Sequence, residues 1–97
     1  MAEWTFLTNH AHVIVCVARD PGMRMRDIAD RVGITERAAQ RIVAELVEAG
    51  YLDRKRDGRR NQYTLNADLP LRHPLERGNA IGDLLGILNL DDDAPAS

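Results

Sequence analysis

The 97-residue chain contains one cysteine, Cys16. No internal disulfide can form, which agrees with a reducing compartment. Long apolar runs are missing too. The longest, AHVIVCVA at Ala11 to Ala18, falls far short of the roughly 18 residues a membrane helix needs, and nothing near the start resembles a signal peptide. A soluble, cytoplasmic protein is expected. The sequence also lacks a glycine-rich phosphate loop, paired catalytic carboxylates and a nucleophile beside a recognisable base, so it does not read as an enzyme. His10 and Cys16 are not spaced as a dyad. His12 and Cys16 stand four apart on one helical face, but two donors make no metal site, and both read as packing residues. Neither a metal nor a cofactor is expected.

A net basic charge is absent as well: 13 Lys+Arg stand against 15 Asp+Glu, a formal −2. The average conceals an uneven distribution. Eleven of the thirteen cations lie between Arg19 and Arg60, whereas from Asp68 onward there are six acids and two bases. A basic module with an acidic tail is compatible with a polyanionic partner. At this length the chain is one domain, large enough to bury roughly 60–70% of its unfolded surface.

Three helices are legible. Thr8 is an N-cap candidate for an apolar-rich helix that ends before the breakers Asp20-Pro21-Gly22. Met23 to Met25 is long enough only for a stub of strand. Asp27 opens a second helix, with Ile28, Ala29 and Val32 on one face and Gly33 as its stop. After Ile34, Thr35 can cap the stretch ERAAQRIVAELVEA. Its Ala39, Ile42, Val43, Leu46 and Ala49 form the apolar stripe, and Glu36, Arg37, Gln40, Arg41 and Ala44 the exposed side.

The pattern then changes to YLDRKR, Asp57-Gly58 and RRNQYTL, the signature of a hairpin with a two-residue loop. With Asp57-Gly58 as that loop, Arg56 faces Arg59, Lys55 faces Arg60 and Leu52 meets Tyr63. Opposed like charges cost on the order of a few tenths of a kcal/mol per pair, so this tip would favour a polyanion. Beyond Leu65, Pro74 can open a last helix with a stripe of Ile81, Leu84, Leu85 and Leu88. Gly78, Gly82 and Gly86 recur beside that stripe. Three helical glycines cost about 3 kcal/mol relative to alanine, which implies close packing against them.

Two helices joined through Gly33 and Ile34, with the small Ala29 permitting close approach, make a helix-turn-helix. The basic hairpin adds a wing. The expected fold is mainly α with a small β hairpin: a three-helix winged helix-turn-helix plus a C-terminal helix. Residues 1–66 form the DNA-binding domain, 67–90 a linker and C-terminal helix suited to dimerisation, and 91–97 a disordered acidic tail. The stretch from about Asn9 to Leu65, through RDIADRVGITERAAQRIVAELVEAGYL and the basic wing with RRNQY, resembles winged-helix regulators of the MarR-like and ArsR-like kind.

The resemblance implies sequence-specific binding to double-stranded DNA, with a recognition helix in the major groove and the wing on flanking backbone or minor groove. It assigns Thr35, Glu36, Arg37, Gln40 and Arg41 to the recognition helix. Arg54, Lys55, Arg56, Arg59, Arg60 and Asn61 fall to the wing. Separately from the resemblance, the stripe of Ile81, Leu84, Leu85 and Leu88 is expected to join two copies of the chain, bringing two recognition helices onto one duplex; the rival is that it folds back onto the first helix of its own chain and fills a monomer's core. There are departures from the families. MarR-like proteins are usually longer on both sides of this module, so no ligand pocket is carried over, and the paired cysteines of metal-sensing ArsR-like proteins are missing. The alternative is a winged-helix module that binds protein rather than DNA.

Overall fold

The computed structural model describes residues 4–88; the expected acidic tail lies outside them. Helix α1 (Asn9–Arg19) begins where the Thr8 hydroxyl accepts the Ala11 amide at 3.3 Å, satisfying a donor that the helix itself cannot. Its end is a turn in which the Asp20 carboxylate accepts the Gly22 amide at 3.1 Å.

Helix α2 (Met25–Val32) starts two residues earlier than the sequence suggested. The Arg24 carbonyl accepts the amides of Asp27 and Ile28 at 2.9 and 3.0 Å, so Met23 to Met25 is no strand stub. Asp27 lies in the first turn, where its charge suits the positive end of the helix. Gly33, at φ +88°, ends α2. Two residues on, the Thr35 hydroxyl accepts the Ala38 amide at 3.0 Å and opens α3 (Glu36–Glu48). Helix α3 closes in a Schellman arrangement, with Gly50 at φ +91°. The Gly50 amide bonds the Val47 carbonyl and the Tyr51 amide the Leu46 carbonyl.

Helices α1, α2 and α3 pack around Val13, Val17, Ile28, Ala39, Ile42 and Val43, none more than 3% exposed. Full burial of a side chain such as Ile28 contributes about 1.5–3 kcal/mol. Leu52 and Tyr63 extend this core into the hairpin.

Strands β1 (Leu52–Asp57) and β2 (Arg60–Leu65) are antiparallel. The register differs from the one expected. Asp57 pairs with Arg60, Arg56 with Asn61, Lys55 with Gln62, Arg54 with Tyr63 and Leu52 with Leu65. The loop is therefore Gly58-Arg59, with Gly58 at φ +66° taking the left-handed position that a two-residue loop requires. No cations oppose each other; the closing pair, Asp57 and Arg60, is of opposite charge. The like-charge penalty inferred from sequence does not apply.

The last helix is shorter than expected. Residues 73–79 form turns, and α4 spans only Ile81–Ile87. Asp83 sets its start by accepting the Ala80 amide at 2.9 Å, and the loop before it is closed by a bridge between Pro70 and Ala80. The expected stripe divides. Ile81 and Leu85 are 4% and 7% exposed in the core of their own chain, Leu84 and Leu88 are half-buried, and Ile87 is 76% exposed. The close packing expected at three glycines exists at one: a Cβ on Gly82 would stand 2.9 Å from the Ala67 Cβ, whereas Gly78 lies outside the helix and, among the described residues, nothing lies within 4 Å of a Cβ added at Gly86.

Candidate nucleic-acid interface

Two elements carry the candidate site. On α3 the 3.6-residue period buries Ala39, Ile42, Val43 and Leu46, which leaves Glu36, Arg37, Gln40, Arg41 and Ala44 exposed on the other side; Ala49, expected in the buried stripe, is the exposed C-cap, because the helix ends at Glu48. Thr35 is exposed as well, its hydroxyl oxygen engaged in the cap. Arg41 has an acid four residues on, Glu45, with which it could pair along the helix. Instead the Glu45 carboxylate meets His10 Nε2 of α1 at 2.7 Å. Neither Arg37 nor Arg41 has an ion-pair partner among the described residues. Their guanidinium groups are available for the two-point contacts that guanine edges accept, Gln40 for those of adenine, and Glu36 to accept from cytosine.

The wing places its charges on both faces. Arg54, Arg56 and Asn61 share the face that carries Leu52 and Tyr63 toward the core; Lys55, Asp57 and Arg60 share the other, and Arg59 sits in the loop. All of these polar side chains are exposed. Arg60 differs in what it touches: its guanidinium donates to the Gly22 carbonyl at 2.8 Å. Arg56 Nε donates to the Gly58 carbonyl at 3.3 Å, bracing the loop.

Arg24 and Arg26, exposed at the start of α2, are further cations that the sequence reading left without a role. They follow directly on the turn that Arg60 touches. The signal available was their place in the basic stretch; what hid them was the mistaken start of α2.

On another side, an open cleft of about 740 Å³ is lined by Phe6, Leu7, Ile14, Leu46, Leu71 and Leu84 among others, with His10 and Glu45 at its wall. Trp4 stacks edge-on against Phe6, which is 91% exposed. Cys16 is buried, and burial pushes its thiol above the ordinary range, while Arg31 and Arg19 pull it weakly the other way. His12 contacts Asn9 at 3.4 Å rather than Cys16, and no group of three potential metal donors gathers among the described residues. No helix there is long and apolar enough to cross a membrane.

Residues 5–60 match the model of the MarR family. Among solved structures, the chain is similar to the PcaV transcriptional regulator from Streptomyces coelicolor in complex with its natural ligand, at 24% identity and a TM-score of 0.55. The match covers 94% of this chain and 63% of that one. It is also similar to the zinc-dependent MarR family transcriptional regulator AdcR in its Zn(II)-bound state, at 22% identity and a TM-score of 0.49, over 67% of this chain and 47% of that one. The chain thus spans about half to two thirds of the length of these structures. No curated protein matches it.

Proposed function

The chain belongs to the MarR family of winged-helix proteins, and we propose that it is a transcriptional regulator that binds double-stranded DNA sequence-specifically. In this reading α3 enters the major groove, where Arg37, Gln40, Arg41 and Glu36 read base edges and Thr35 approaches a phosphate. Arg54, Lys55, Arg56, Arg59 and Asn61 of the wing contact flanking backbone or minor groove and set register. The observation that carries it is the state of the α3 face. Two arginines and a glutamine stand exposed on a capped helix, and the acid best spaced to neutralise Arg41 is held by His10 instead.

The test is selection of bound sequences from random duplexes by the purified protein, followed by Arg37→Ala on the best site. A shared motif should emerge. The substitution should cost about 1–3 kcal/mol there and relax preference at one or two base pairs. Equal weakening on specific and random DNA would make Arg37 a backbone contact, and recovery of no motif would move the reading to a protein-binding module.

The regulator acts as a homodimer. One module reads few base pairs, and a two-fold pair sets two recognition helices about 34 Å apart on one face of the duplex. Support comes from exposed apolar side chains among the described residues: Trp4 and Phe6, the latter lining one cleft with Leu84, and Ile87, with Leu84 and Leu88 half-buried. Ile81 and Leu85 belong to the monomer's core and are not part of this surface.

A further inference from the structure

We propose that Arg60 is a positioning residue that latches the wing to the turn between α1 and α2, rather than one of the wing's phosphate contacts. Its effect on DNA rests on the DNA-binding reading above; the latch itself is a property of the free protein. A two-stranded hairpin is marginal in isolation, so the direction of the wing relative to α3 depends on what ties it to the helices. Two successive carbonyls of the turn provide the tie. The Pro21 carbonyl accepts the Tyr63 amide at 3.1 Å on the free edge of β2, and the Gly22 carbonyl accepts the Arg60 guanidinium at 2.8 Å. Gly22 also lies beside the Gln62 side chain, at ordinary contact distance for an added Cβ. The turn therefore runs along β2 and covers an edge that would otherwise be open.

The charges around Arg60 point the same way. Asp57 faces it across the hairpin, and Asp20 lines the same recess with Pro21, Gly22 and Gln62. Two carboxylates favour a cation held there and repel a phosphate that approaches it. Arg59, one residue earlier, lies in the loop between the strands. Releasing the latch leaves the wing's other cations in place but lets the hairpin swing, so ordering it is charged against binding.

Hydrogen exchange on the DNA-free protein separates the latch from a phosphate contact. Arg60→Ala should speed exchange of the Tyr63 amide about fivefold or more, and Arg59→Ala should leave it unchanged, because only the first loosens the turn from β2. The second measurement is affinity for DNA in two backgrounds at low salt. Arg60→Ala should weaken the intact protein severalfold, yet change affinity less than about twofold once Arg54, Lys55, Arg56 and Arg59 are alanine, since a latch acts only through the cations it positions. An unchanged Tyr63 exchange rate overturns the proposal, as does the same weakening in both backgrounds. If the protein binds no DNA, the regulator reading fails, and the exchange experiment alone still decides the latch.

Discussion

Two glycines four residues apart in α4 should respond to alanine with opposite signs. Among the described residues, nothing lies within 4 Å of a Cβ added at Gly86. Gly86→Ala should therefore realise the backbone-entropy gain of alanine in a helix, about 0.5–1 kcal/mol. Gly82→Ala carries the same gain, but its methyl would stand 2.9 Å from the Ala67 Cβ and 3.0 Å from the Ala67 carbonyl oxygen. Backbone cannot step aside as a flexible side chain does, so α4 or the 66–69 segment must shift, at about 1–3 kcal/mol. The net for Gly82→Ala is a destabilisation of roughly 0.5–2 kcal/mol, and the two variants should differ by about 1–3 kcal/mol. Urea unfolding followed by circular dichroism resolves this: with m near 1–1.5 kcal/mol/M for a chain of this size, the midpoints should separate by roughly 0.7–3 M. Ala67→Gly should relieve Gly82→Ala only in part, because the carbonyl oxygen remains. If the two variants unfold at the same midpoint, α4 is not seated on Ala67, and the assignment of Ile81 and Leu85 to the monomer's core falls with it.

Three further outcomes are expected. Arg56→Ala and Arg59→Ala should weaken specific and random DNA by similar factors and flatten the slope of log K against log salt by about 0.9 for each phosphate no longer neutralised; an unchanged slope removes them from the backbone contacts. The intact protein should be a dimer by light scattering at micromolar concentration and Ile87→Glu a folded monomer, whereas an intact protein that is already monomeric refutes the dimer. Truncation before α4 is a poorer probe, since it strips Ile81 and Leu85 from the core. Finally, burial raises the folded-state pKa of Cys16 above the ordinary 9.0. Its contribution to stability is fully present below that value, and is lost as pH rises through 9.0 toward the folded pKa, because the unfolded thiol ionises first. Thermal unfolding between about pH 8 and pH 10.5 should accordingly fall less steeply for Cys16→Ala than for the native chain; parallel curves would mean that the thiol is not desolvated.

What the sequence determined by itself is what its short-range chemistry decides. Thr8 and Thr35 were legible as caps, Gly33 and Gly50 as stops, and the α3 stripe by its period, because each signal acts within a turn or two of helix. The two exposed arginines of α3 follow from that period. The hairpin was legible as a hairpin, but its register was not. Pairing Leu52 with Tyr63 or with Leu65 puts the same side chains on the inward face, because the two registers differ by a two-residue slide and the side-chain period is two. Binary pattern is blind to that choice. The structure resolves it through Gly58 in the first loop position, Asp57 opposite Arg60, and Pro21 on the free edge of β2. The last helix is a similar case. Its apolar residues were visible, but Ile81 and Leu85 turn inward only because the Pro70 to Ala80 bridge returns the chain to its own core, and Gly82 admits Ala67. Arg60 read as one more cation in a basic run; that it grips Gly22, thirty-eight residues earlier, is a contact between distant segments, which only the packed fold brings together.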